Sequence, residues 1–169
     1  ELAKVSGDFT MLHFQPCRVD EIVLEAANTL VRYKNECQFT FDYETLPEKE
    51  EDLFVDGSQD FLYSAFYNII DNACKYSSDH KVAIKLSFTD STLVIKFQDH
   101  GIGISEEDKK RILEPFYRSD AAREYAGIGL GLSLVQKIVQ QHKGAISFHS
   151  QPGFGTLVTV KLYKNFMYS

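Results

Sequence analysis

No stretch of this sequence approaches the roughly 18 consecutive apolar residues that a membrane-spanning helix needs, although 44% of its 169 residues are hydrophobic. The apolar residues are dispersed and serve a core; a chain of this length suits one domain that buries about two thirds of its unfolded surface. A basic surplus is also missing: 18 lysines and arginines face 24 acids, a formal charge of −6. A nucleic-acid surface needs a basic face to displace counterions from phosphates, so that class of partner is not expected. Cysteine is scarce. Cys17, Cys37 and Cys74 are odd in number and far apart. That pattern predicts neither a disulfide framework nor a C-x-x-C metal site, makes Cys74 a small core residue, and fits a reducing, cytoplasmic setting. The five histidines, His13, His80, His100, His142 and His149, show no metal-ligand spacing, and no internal repeat is detectable.

What the chain does have is glycine, concentrated. Five of its ten glycines (Gly101, Gly103, Gly127, Gly129 and Gly131) fall within FQDHGIGISEEDKKRILEPFYRSDAAREYAGIGLGL, residues 97–132. They form two turns around a charged middle. Glycine lets the backbone come close to a ligand, so two such turns facing one pocket suit a phosphate-bearing molecule, with a nucleotide the first expectation.

The rest of the sequence supplies the walls. Asp20 is placed to cap a helix whose apolar residues Ile22, Val23, Ala26, Ala27, Leu30 and Val31 recur at three-to-four spacing. Two-residue alternation predicts a strand at 37–44, and a short strand follows at 53–56. A second helix runs from Ser58 to about Ser77, then come a hairpin of strands 81–88 and 93–98, a helix at 131–142 capped by Gly144, and strands 145–150 and 156–163. The expected fold class is α+β: a two-layer sandwich of three helices on a mixed, mostly antiparallel sheet.

Three features carry chemistry. On the second helix Asn68, Asn72 and Lys75 fall within about 60° of one another, a narrow polar stripe on an otherwise apolar element that should face a cavity. Two side-chain carbonyls one turn apart can hold a hard cation such as Mg²⁺, and a lysine can meet a phosphate. Asp99, ending a strand before Gly101 and Gly103, presents a carboxylate that only accepts hydrogen bonds, which suits the amine of adenine and not the carbonyl of guanine. The G-I-G-L-G-L segment at 127–132 has G-x-G-x-G spacing and no preceding strand, so it is not a dinucleotide fingerprint. It is a glycine turn opening a helix, and so an anion site. The segment 105–126 between the turns is long for a loop, partly helical around Glu106–Leu113, and of the size of a lid.

Together, NIIDNACKY at 68–76, DHGIGI at 99–104, EPFYR at 114–118, GIGLGL at 127–132 and GFGT at 153–156 resemble the catalytic ATP-binding domain of sensor histidine kinases, in the superfamily shared with gyrase and MutL. The resemblance implies ATP and Mg²⁺ as ligands. It gives Asn72 and Asn68 to the metal, Asn68 and Arg118 to catalysis with Arg118 on the γ-phosphate, and Asp99 to the adenine amine. It implies nucleotide contacts for Lys75, Tyr76, Gly101, Gly103, Ile104, Phe116, Arg123, Gly127, Gly129, Leu130, Gly131, Leu132 and Thr156, with Phe116 anchoring the lid. It also implies two partners: a dimerising helical domain of the same parent that carries the phosphoacceptor histidine, and a response regulator receiver domain. The parent would be a homodimer and this fragment a monomer. The chain divides into the end of a preceding helix and linker at 1–13, the ATP-binding domain at 14–163 and a tail at 164–169. Ile128 stands where the family commonly has threonine, and Lys143 where it commonly has glycine. None of the five histidines is followed by an acid, as the family's phosphoacceptor is. Two rival readings remain: an ATPase or serine kinase of the superfamily, in which a glutamate replaces Asn68 as general base, and a nucleotide-binding module without catalysis.

Overall fold

Strands with two-residue alternation build a five-stranded sheet whose spatial order is residues 38–43, 81–88, 92–98, 155–163 and 145–151. The computed structural model describes residues 13–164. β2 (Gln38–Tyr43), β4 (Lys81–Phe88), β5 (Thr92–Gln98), β6 (Ala145–Gln151) and β7 (Gly155–Tyr163) pair antiparallel except for the parallel β2–β4 ladder. The sheet is therefore mixed and mostly antiparallel, as expected. β1 (Gln15–Arg18) and β3 (Phe54–Gly57) form a separate antiparallel ribbon. The expected preceding helix at 1–13 and tail at 164–169 lie outside the described residues, apart from His13 and Lys164.

Register fixes which face is dry. Ile84 lies opposite Phe97 and Leu86 opposite Ile95; on the other side of β5, Phe97 meets Val158 and Ile95 meets Val160. All of these are buried. The next residue in each strand points the other way, and there Lys85 lies opposite Lys96 on the wetter face. Three helices cover the apolar face: α1 (Val19–Tyr33), α2 (Gln59–Tyr76) and α4 (Gly131–Gln141), with a four-residue α3 (Glu106–Lys109) in the loop before α4. α2 is central. Its Leu62, Ala65, Phe66, Ile69, Ile70 and Ala73 are buried, and Phe66 packs on Phe97 of β5 with ring centroids 6.1 Å apart.

Three local expectations are corrected. Asp20 is not the cap of α1. The helix begins at Val19 with Arg18 as N-cap, and the Asp20 carboxylate instead bonds Arg18 Nε at 3.1 Å and receives the Tyr43 hydroxyl at 3.1 Å. Nor is Gly144 the residue that turns α4. Lys143 takes the left-handed conformation, with φ 54°. Gly144 is needed for a close approach, because a Cβ there would stand 2.6 Å from the Lys161 carbonyl oxygen. The third concerns cysteine: Cys37 and Cys74 are joined as a disulfide, leaving Cys17 free and buried. Spacing in sequence does not report proximity in space. The entry to β2 meets the last turn of α2 with the two Cα atoms 5.6 Å apart.

Candidate active site

Between α2, the start of α4, the end of β5 and the start of β7 lies a cavity of about 380 Å³, a size that suits a small-molecule ligand. The polar stripe of α2 faces it: Asn68, Asn72 and Lys75 all line it, together with Tyr76 and Asp71. Asn68 Nδ2 donates to the Ser64 carbonyl at 2.8 Å, which fixes the amide and leaves its oxygen as the outward group. That oxygen lies 3.0 Å from where a Cβ on Gly131 would stand, so it faces the first turn of α4. The helix has Leu130 as N-cap and no side-chain cap bond. Its first N–H groups and positive end are therefore open to an anion. The Lys75 ammonium sits 3.2 Å from a Cβ position on Gly127 and 4.6 Å from the Tyr76 ring centroid. The Asn68 amide oxygen, the Asn72 amide, a lysine and a helix N-terminus thus converge at one end.

Asp99 forms the opposite wall. It is buried at the end of β5. Its Oδ1 takes the Gly101 N–H at 2.8 Å and the Thr156 N–H at 3.2 Å, which leaves Oδ2 for the cavity. Burial raises the carboxyl pKa above the usual carboxylate value, against the lowering effect of those two N–H donors. Gly101 does not line the cavity. It is required by the turn, since a Cβ would meet the Tyr76 carbonyl oxygen at 2.2 Å. Gly103, Ile104 and Thr156 do line it, as do Gly127, Gly129, Leu130, Gly131 and Leu132 from the second turn.

The segment between the two glycine turns is more divided than the sequence suggested. Arg118 lines the cavity, but its guanidinium is occupied: Nη1 donates to the Gly127 carbonyl at 2.9 Å and Nη2 to the carbonyls of Ala122 and Tyr125. It ties this loop to itself. Phe116 and Arg123 are not brought to the cavity. They line a shallow groove on the outer side of the same loop, Phe116 71% exposed and Arg123 paired with Asp120 at 3.3 Å. The loop between Glu114 and Gly127 has two sides, and spacing alone does not say which one a residue takes.

Sequence reasoning missed three participants. Asp71 lines the cavity while paired with Lys34 of the α1 cap. Tyr125 of the same loop meets Tyr76 edge-on at 5.0 Å. Ser150, buried, accepts the Ile104 N–H at 2.8 Å and contacts both the Gly155 carbonyl and the Thr156 hydroxyl. A signal for Ser150 was present, because period-two alternation puts it inward with Ile146 and Phe148.

With this geometry in place, comparison with known proteins identifies the class. The model of the "Histidine kinase-, DNA gyrase B-, and HSP90-like ATPase" family matches residues 57–165. The chain belongs to this family, and its fold is that of the ATP-binding catalytic domain of sensor histidine kinases. The sensor-like histidine kinase SenX3 of Mycobacterium tuberculosis is 34% identical over 165 residues, covering 96% of this chain and 39% of that protein. The sensor histidine kinase CpxA of Escherichia coli is 38% identical over 112 residues, covering 64% of this chain and 24% of that protein. The chain therefore spans 39% or less of the length of these two relatives. Among solved structures, the mycobacterial sensor histidine kinase MprB superposes with a TM-score of 0.75 at 25% identity, over 89% of this chain and 97% of that one. The catalytic domain of histidine kinase ThkA shares the fold, with a TM-score of 0.73 over 90% of this chain and 98% of that one.

Proposed function

We propose that this domain binds Mg²⁺·ATP and delivers the γ-phosphoryl group to a histidine on a separate helical domain of its parent, for onward transfer to a response regulator. One observation carries the choice of phosphotransfer over hydrolysis. The carboxylates lining the cavity are Asp71 and Asp99; the first is held by Lys34 and the second by two backbone N–H groups. The open Oδ2 of Asp99 lies on the wall opposite Asn68, Lys75 and the α4 N-terminus, away from the end where phosphates would sit, and Asp71 is neutralised by its lysine. At Asn68, where the hydrolytic and serine-kinase branches would need a glutamate, stands an amide without useful basicity. A histidine acceptor needs no such base to attack, since the neutral imidazole nitrogen brings its own lone pair. The new P–N bond forms as the β,γ-bridging P–O bond breaks, ADP departs, and the remaining ring proton leaves through the partner.

The domain's contribution is then positioning and charge. Asp99 Oδ2 takes the adenine amine, Tyr76 and Ile104 wall the base, and Lys75 and the α4 N-terminus meet phosphates. Mg²⁺ would be held by the side-chain carbonyls of Asn68 and Asn72, where it would neutralise triphosphate charge. Arg118 leaves its lid carbonyls for the γ-phosphate when nucleotide is bound. No helix among the described residues is long and apolar enough to cross a membrane. The domain works in the cytoplasm as a monomer, within a homodimeric parent.

Calorimetric titration with ATP and GTP, with and without Mg²⁺, tests this alongside a phosphate-release assay and labelling of an added helical phosphoacceptor domain. The expected result is adenine-selective, Mg²⁺-dependent binding, negligible release, and labelling of the added domain. Asp99→Asn is expected to weaken ATP by about 2–3 kcal/mol. Its amide oxygen can still accept from Gly101 and Thr156, so the turn survives, while its NH₂ confronts the adenine amine with a donor. Steady phosphate release would convert the reading to a self-contained ATPase, and absence of binding to a regulatory module.

A further inference from the structure

Two oxygen–oxygen contacts behind the adenine wall fix a proton that decides what the wall can recognise. Ser150 Oγ lies 2.8 Å from the Gly155 carbonyl oxygen and 2.7 Å from Thr156 Oγ1. Each contact needs one hydrogen between its oxygens, and two hydroxyl hydrogens are available. A carbonyl only accepts, so the Gly155 contact takes the Ser150 hydrogen. The second contact must then be made by the Thr156 hydrogen, donated to Ser150. Ser150 Oγ also accepts the Ile104 N–H at 2.8 Å, so it donates once and accepts twice and is saturated.

Thr156 has little other freedom. Its N–H is held by Asp99 Oδ1 at 3.2 Å, and its carbonyl accepts from the Asp99 N–H at 3.0 Å and from Gln98 Nε2 at 3.3 Å. The direction of its hydroxyl hydrogen is the variable, and Ser150 takes it. To an occupant of the cavity, which both Thr156 and Asp99 line, the Thr156 hydroxyl offers only a lone pair, beside a carboxylate that also only accepts.

We propose that Ser150 is a positioning residue that sets purine selectivity: by holding the Thr156 hydroxyl as an acceptor, it makes this wall read a 6-amino purine and reject a 6-oxo purine. The proposal rests on the assignment of Asp99 to the base. An adenine amine carries two hydrogens for two acceptors. The 6-oxo edge of hypoxanthine or guanine offers an N–H that Asp99 can take, but its carbonyl needs a donor, and Thr156 has none to give. Without Ser150, the Thr156 hydroxyl is free to turn and donate to that carbonyl, and the pair Asp99–Thr156 becomes competent for a 6-oxo purine.

The test is calorimetric titration of the intact domain and its variants with ATP and ITP, which differ at this edge. Ser150→Ala is expected to narrow the ATP-to-ITP affinity ratio by about tenfold, one hydrogen bond's worth. Ser150→Cys, which keeps the volume and weakens the bonds, should shift the ratio in the same direction and serves if the alanine variant does not fold. In a Thr156→Val background, Ser150→Ala should leave the ratio unmoved, since no hydroxyl remains to reorient. Equal weakening of ATP and ITP in Ser150→Ala would make Ser150 a merely structural support and overturn the proposal. So would a ratio shift that persists in the Thr156→Val background. Wild-type protein that binds ATP and ITP equally would overturn the assignment of Asp99 to the base, and the proposal with it; ATP-selective wild type with an unmoved Ser150→Ala ratio overturns the proposal alone.

Discussion

Lys143, the residue after the His142 C-cap of α4, has φ 54°, a conformation that costs an L-residue roughly 1–2 kcal/mol. The position has no choice. The Gly144 N–H bonds the Val139 carbonyl at 2.8 Å and the Lys143 N–H bonds the Gln140 carbonyl at 2.9 Å, the paired closure that a left-handed residue makes at a helix end. Lys143→Gly is expected to raise stability by about 0.5–1 kcal/mol, the relief of strain being partly offset by the freer unfolded chain. Urea denaturation measures it, with ATP affinity unchanged because the cavity lies at the other end of α4. Lower stability would mean that the lysine side chain contributes a contact worth more than the strain. The sequence flagged this residue by its departure from a glycine, just as it flagged Asn68, Asn72 and Lys75 by their break in an apolar face. It could not flag Arg118's grip on three carbonyls of its own loop, because that depends on the path of the backbone.

Among the elements, α2 and α4 define the cavity, and a buried histidine helps hold them in relation. His142 at the end of α4 accepts the Ser58 N–H at the start of α2 through Nε2 at 3.0 Å, while Nδ1 lies 2.7 Å from the Ile138 carbonyl. The carbonyl only accepts and the N–H only donates, so the ring is neutral with its hydrogen on Nδ1. Burial lowers its pKa below the ordinary value of 6.5, more than the Ile138 carbonyl raises it. A histidine with a depressed folded-state pKa contributes stability that is present above the unfolded value and lost as pH falls through the folded one. Thermal unfolding should therefore show a decline in stability on acidification below about pH 6.5, worth roughly 1.4 kcal/mol for each unit of depression. A His142→Phe variant should start lower, having left Ser58 without its acceptor, yet lose less over the same interval. A wild-type curve parallel to the variant's would remove His142 as the source. Helix and strand positions were legible because each repeats its own period. The His142–Ser58 bond, 84 residues apart, has no period to read.

At the scale of the whole molecule, the layers were legible and the pairings were not. Alternation identifies strands, and α+β order predicts helices on one face, but nothing local says that β2 runs parallel to β4 or that β7 lies between β5 and β6. The same blindness hid the Cys37–Cys74 disulfide, which closes 37 residues of chain and joins the parallel edge of the sheet to the helix that carries Asn72. Closing a loop of that length removes roughly 4 kcal/mol of unfolded-chain entropy. Urea unfolding of the oxidised domain with and without dithiothreitol should differ by about 3–4 kcal/mol on this account. The paired substitution Cys37→Ser with Cys74→Ser should reproduce the reduced stability and make it insensitive to reductant. Cys17 is the internal control: buried and unpaired, with a thiol pKa raised by burial, it should remain the only cysteine that alkylates after unfolding without reductant. Alkylation of all three cysteines in the unfolded, unreduced protein would show that Cys37 and Cys74 stand as a dithiol in solution. The stability of the domain would then rest on the sheet, the three helices and their common core alone.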